Sequence, residues 1–164
     1  VGVLLALCSC SSVRNDGKTN NLFSEISIQT EAIDLPLSTQ WVGTYPVAGL
    51  GLLPQGQRDD SVGYLGDAEA FASVWAPFKP GQAPPAVNFG KDIVVFVRNT
   101  RFFNRTSIVK ATVTDGVLEL LAMETKSANP IDDRAAMAMA AVPRAGIRFI
   151  KARDKLIPVI APKK

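Results

Sequence analysis

Asp92-Ile-Val-Val-Phe-Val-Arg98, the linker Asn99 to Arg105, Thr106-Ser-Ile-Val-Lys-Ala-Thr-Val-Thr114, Asp115-Gly116 and Val117-Leu-Glu-Leu-Leu-Ala-Met-Glu124 form one continuous stretch whose reading decides the fold. The first run is β-branched, aromatic and almost unbroken in its apolarity, the pattern of a strand covered on both faces. It is the natural central strand. The two later runs flank Asp-Gly, which tolerates the positive φ angles of a tight type I′ turn, so they are expected to pair as a hairpin. Counting outward from the turn sets Val113 against Leu118, Ala111 against Leu120 and Val109 against Ala122, all on one apolar face. The other face pairs Thr112 with Glu119 and Lys110 with Leu121, leaving Lys110 diagonal to Glu119 for a cross-strand charge contact. A slip of one residue would turn the apolar set to solvent, so the register is well specified.

Working outward, Gln40 to Val47 holds Trp41, Val42 and Tyr45 and reads as a strand, with Ile26 to Thr30 a shorter edge strand before it. Ala48 to Gly56 is glycine-rich but lacks the Gly-Lys-Ser/Thr ending of a phosphate-binding loop. It reads as a loop that tucks Leu50, Leu52 and Leu53 against the core. Ser61 to Leu65 is another short strand. Asp67 is a good helix N-cap, and Phe71, Val74 and Trp75 follow at helical spacing until Pro77 and Pro80 stop the helix. Thr125 to Arg134 is a polar connection. The alanines of Ala135 to Val142 favour helix, yet Met137, Met139 and Ala141 alternate as in a strand, and Pro143 with a following hairpin tips the reading to strand. That hairpin joins Ile147 to Lys151 and Lys155 to Ile160 through Ala152-Arg-Asp154, with Pro158 marking an edge. Many short strands and one short helix imply a mainly β, α+β fold: an antiparallel β-sandwich or open barrel.

The chain has 164 residues, 47% of them hydrophobic and 20% charged, with a net charge of +3. This is the composition of a single globular domain and not that of a nucleic-acid binder. There is no His, which removes the commonest general base and metal ligand. Both cysteines, Cys8 and Cys10, lie near the start, so the body of the chain has no thiol nucleophile, disulfide or cysteine metal site. No cofactor and no metal are expected. Asp59-Asp60 and Asp132-Asp133 are adjacent carboxylates suited to turns and caps, whereas a two-carboxylate hydrolase needs them converging across a cleft. Ser61, Ser73, Ser107 and Ser127 have no His partner and lie in neither Gly-x-Ser-x-Gly nor Ser-x-x-Lys, so the chain is read as a non-enzyme.

Val1 to Leu7 is an apolar run too short to span a bilayer, and it resembles the tail of a secretory signal. Leu7-Cys8-Ser9-Cys10 resembles a bacterial lipobox, with Leu three before the modified cysteine and a small residue directly before it. That resemblance makes Cys10 the lipid attachment site; Cys8 is the poorer choice because bulky Leu7 precedes it. Residues 1–10 are therefore expected to be signal segment and anchor, 11–25 a polar flexible tether, and 26–164 one β-rich domain. Ser11 after the cysteine resembles the outer-membrane sorting pattern, which implies an envelope lipoprotein facing the periplasm or the surface.

Residues from about Gly66 to Pro162 resemble the C-terminal domain of the PrcB-like protease-complex subunit family of bacterial lipoproteins. The matching features are the Phe71-x-x-x-Trp75 helix, the run Val87-Asn-Phe-Gly-Lys-Asp-Ile-Val-Val-Phe96 and the Asp115-Gly116 hairpin. The resemblance implies a non-catalytic subunit that binds and stabilises a partner protein of the envelope, a protease in the founding case. Where the family has Thr-Gly-Gly-Tyr, this chain has Phe103-Asn-Arg-Thr106, a departure at any contact that depends on the glycine pair.

In such a protein, Arg101, Phe102, Phe103 and Arg105 are the partner-binding candidates, because arginine and aromatic side chains combine buried area with directed hydrogen bonds. The competing reading has the two phenylalanines capping the core and the arginines solvated. An alternative function is a small-ligand, glycan or lipid carrier using a sandwich cavity lined by Trp41, Tyr45 and Trp75. A pocket at those rings would favour the carrier; exposed phenylalanines would favour the partner. The sequon Asn104-Arg105-Thr106 carries no weight in a bacterial lipoprotein.

Overall fold

The computed structural model of the protein describes residues 31–99 and 103–161. The signal segment with Cys8 and Cys10, the tether, the expected strand at 26–30, and Arg101 with Phe102 lie outside the described residues. The elements run β1 (Ile33–Asp34), β2 (Thr39–Pro46), two short 3₁₀ helices (Val47–Leu52 and Gln55–Gln57), β3 (Val62–Leu65), α1 (Ala68–Phe78), β4 (Asp92–Asn99), β5 (Phe103–Thr114), β6 (Val117–Lys126), β7 (Arg134–Pro143), β8 (Phe149–Ala152) and β9 (Lys155–Pro158). They build two open sheets, ordered β1-β5-β6-β8-β9 and β2-β7-β4-β3. Among the described residues the fold is a mainly β sandwich with one short α-helix, and neither sheet closes into a barrel.

β4 and β7 occupy the middle of the second sheet and are covered on both faces. Toward the other sheet point Ile93, Val95 and Val97 of β4 with Ala138, Ala140 and Val142 of β7, where they meet Ile108, Ala111, Val113 and Leu118. Toward the helix point Val94, Phe96, Met137 and Met139, under Phe71, Val74, Trp75 and Phe78. The alternation of alanine and methionine in β7 follows: small side chains face the close-packed sheet, and long flexible ones fill the uneven space beneath the helix. Each large side chain buried from α1 contributes about 1.5–3 kcal/mol of hydrophobic stabilisation.

The Asp67 carboxylate caps α1, accepting from Ala70 N–H at 2.8 Å. Pro77 does not stop the helix. It sits in the last turn, and the chain continues to Phe78, which is 3% exposed and seats its ring over Gly43 of β2. Burial of that ring outweighs the hydrogen bond that proline forgoes so near the helix end.

The β5–β6 hairpin turns through Asp115 at φ 54° and Gly116 at φ 79°, both positive as type I′ requires. Val113 pairs with Leu118, Ala111 with Leu120 and Lys110 with Leu121 as expected, but a bulge then sets Ile108, not Val109, against Ala122. Val109 is the extra residue and is 55% exposed, while Ile108 takes the core position. The Lys110–Glu119 contact does not form. Lys110 reaches Asp34 at 2.9 Å and Glu119 meets Lys151 at 2.6 Å, because β1 and β8 bring those partners alongside. Leu52 also departs from expectation: it is 52% exposed, while Leu53 is buried and Leu50 packs against the helix layer. The final hairpin forms with Arg153 at φ 56°, and β9 is an edge strand, but β8 joins β6 in parallel.

The two layers are tied directly. The side-chain amide of Gln40 on β2 accepts from Ile108 N–H at 2.7 Å and donates to Ile108 C=O at 2.9 Å on β5.

Gly63 on β3 has no room for a side chain: an added Cβ would collide with the Phe96 ring and the side-chain amide oxygen of Gln57. Gly63→Ala is expected to lower stability by about 1–3 kcal/mol, whereas exposed Gly51→Ala, with nothing near its Cβ position, should leave the urea midpoint almost unchanged.

Candidate functional site

Phe103 opens β5 across from Lys126, whose Nζ lies 5.5 Å from the centre of its ring. A register irregularity between Phe103 and Arg105 releases this end of β5 from regular pairing. Facing it is the connection from β6 to β7. Proline at 130 and the polar run around it keep that segment out of either sheet, and Asp133 C=O anchors it by accepting from Val47 N–H at 3.0 Å. Between the two lies a cleft of about 430 Å³, walled by Phe103 and Asn104, by the loop from Pro130 to Arg134, and by Thr44 of β2. A second hollow of about 330 Å³ shares Thr44, Asp133 and Arg134 and carries on past Pro46 to Pro77, Phe78 and Pro80. The two make one groove along an end of the sandwich.

Its walls mix polar and apolar surface: four prolines, Phe103, Ile131 and Phe78 supply the apolar part, and the prolines stiffen it. Charge is confined to Asp132, Asp133 and Arg134. Arg134 donates to both carboxylate oxygens of Asp133, at 3.3 and 3.2 Å. The hydrogen bonds hold the Asp133 pKa below the usual carboxylate value and raise that of Arg134. A carboxylate kept ionised in this way is a fixed charge and a poor proton donor. Among the described residues no three His, Cys, Asp or Glu side chains come together to hold a metal ion.

Of the partner-binding candidates, Phe103 is half-buried and lines the groove, whereas Arg105 is exposed across from Thr125. Trp41, Tyr45 and Trp75 do come together, but on the helix-covered face and not in the space between the sheets. Trp41 packs at 5.5 Å on Trp75 and 5.6 Å on Phe71, Trp75 Nε1 donates to Gln82 C=O, and Tyr45 donates its hydroxyl to Gly49 C=O at 2.8 Å. The two tryptophan rings are occupied with each other and with Phe71, and the Tyr45 hydroxyl with Gly49. The loop at 130–134 escaped the sequence reading, since Asp132-Asp133 looked like turn chemistry alone. No local signal marks the groove, because its prolines lie far apart in the chain.

Beneath the 3₁₀ segments, Arg98 is 6% exposed and donates from Nη2 to Arg58 C=O. Burial lowers its pKa, and the carboxylates of Asp59 and Asp60 pull it back up. It pins the 58–61 loop to the end of β4.

No protein-family model, curated protein or solved structure matches the chain.

Burial pushes the Tyr45 hydroxyl up to about 12 from 10.0. Folding thus favours the neutral phenol, and the associated stability is present in full below pH 10 and lost as pH rises toward 12. Wild type minus Tyr45→Phe should show an alkaline loss of up to about 2 kcal/mol in urea unfolding over that window, with the variant lacking this component.

Proposed function

We propose that this protein is a membrane-anchored, non-enzymatic lipoprotein of the bacterial envelope that binds and stabilises a partner protein, with the Phe103 groove as the contact. The observation that carries this reading is the groove's make-up. Proline-stiffened walls of mixed polarity around an aromatic side chain, with the Asp133–Arg134 pair among them, match the anatomy of a protein interface, where aromatic and arginine side chains stand among polar groups. A groove continuing over two hollows suits an extended segment of the partner better than a compact molecule. The lipobox resemblance at Cys10 supports the membrane anchor, and the resemblance to the PrcB-like family supports a protease or other envelope protein as partner.

One observation favours a carrier instead: the cleft volume of about 430 Å³ lies within the range of small-molecule sites, about 300–1,000 Å³. A carrier of this kind would use Phe103 and Ile131 in place of Trp41, Tyr45 and Trp75.

The full-length protein, purified gently from its native membranes beside a Phe103→Ala/Ile131→Asp variant with unchanged circular dichroism, separates the two. A single envelope protein that cross-links to wild type, and whose affinity falls at least about 30-fold in the variant, is the expected result. Retention of that protein by the variant removes the groove from the interface. Enrichment of a lipid or glycan, with no protein, replaces the partner reading with the carrier.

A further inference from the structure

Four sheet edges carry a device that blocks pairing with another chain. β1 is only two residues long, and beyond it the Gln40 amide occupies both backbone groups of Ile108. On β2, Lys79 Nζ donates to Val42 C=O at 2.7 Å. On β3, Gln57 Oε1 accepts from Tyr64 N–H at 2.6 Å. β9 has four residues and ends at Pro158. Brevity, lysine, proline and side-chain covers are the usual protections of exposed edges.

β6 lacks them over most of its length. β8 pairs with it only at Val117 and Leu118, so from Glu119 to Lys126 its outer side has no hydrogen-bonded neighbour among the described residues. Counting from the two-residue turn, alternate residues Leu118, Leu120, Ala122 and Glu124 direct their N–H and C=O to that side. The strand face beside this edge is apolar as well: Leu121 is 59% and Met123 66% exposed, next to bulged Val109 at 55%.

We propose that this edge is a homodimer interface, in which β6 of a second copy adds antiparallel about a two-fold axis at Ala122. The segment is its own complement. About that axis Leu121 faces Met123 twice over, Ala122 faces itself, and Glu119 and Glu124 face Thr125 and Leu120, so no like charges oppose. Val109 of each copy extends the shared apolar patch. The small side chain at the axis leaves space on the inner side for the two sandwiches to approach. So short an edge falls in the weak class of interfaces, under about 1,200 Å², and the dimer forms and dissociates with concentration. The edge meets the Phe103 groove at Lys126, which lies over the Phe103 ring, but the inference does not rest on the groove's role.

Sedimentation velocity on the unacylated full chain, under reducing conditions that keep Cys8 and Cys10 as thiols, tests it from micromolar to near-millimolar concentration. Wild type is expected to pass from monomer to dimer. Ala122→Pro, which removes an edge N–H that β5 does not use, should move the midpoint at least about tenfold higher, and so should the surface pair Leu121→Lys/Met123→Lys. Circular dichroism and thermal midpoints report folding, and the surface pair decides if the proline variant fails to fold. A wild type that stays monomeric throughout overturns the proposal, as does a dimer indifferent to the folded variants.

Discussion

Everything in this fold depends on the β4–β7 ladder being buried from both sides. With α1 above and the second sheet below, the middles of these strands are buried, so their backbone groups are satisfied by strand neighbours and their side chains there are apolar on both faces. This constraint selects the Ile-Val-Val-Phe-Val run and the alanine-methionine run. It also fixes what may flank them: β3 and β2 complete the pairing, and the helix must place Phe71, Val74, Trp75 and Phe78 in one line. The buried Arg98 marks where this regime ends, as the apolar run of β4 gives way to a charged residue and a loop carbonyl receives it.

Much of this was legible in the sequence because the signals are local. An unbroken apolar run, Asp-Gly between alternating strands and Asp67 ahead of a 3.6-residue pattern each state their outcome within about ten residues. Even the ambiguous 135–142 segment resolved correctly as strand, since alternation of size, not of polarity, was the relevant pattern. The misreadings share a cause. The bulge at Val109, the partners of Lys110 and Glu119 and the parallel placement of β8 are set by elements distant in sequence, and counting along one hairpin cannot see them.

The candidate site was less legible for the same reason. Phe103 was singled out by type and lies on the groove, but the opposite wall comes from Pro130 and Ile131 and the extension from Pro46, Pro77 and Pro80. Trp41, Tyr45 and Trp75 belong to one cluster, on the helix-covered face. Their grouping arises from packing one helix on one sheet face, where the neighbouring rings themselves fill the space. Aromatic residues that cluster because they close a layer look the same in sequence as those that line a pocket.

The Gln40 bridge has one more consequence. Its amide presents one N–H and one carbonyl oxygen to Ile108, the same pair that a peptide group offers, yet no chain runs on from it to present a fresh row of such groups. It therefore terminates the sheet chemically where a further strand would have prolonged it. A sheet stopped this way along the middle of β5, and without a paired neighbour past β8 on β6 among the described residues, differs at its two sides. In the proposed dimer strand addition is self-limiting, since the two-fold contact uses the open β6 edge of both copies while Gln40 covers the middle of β5.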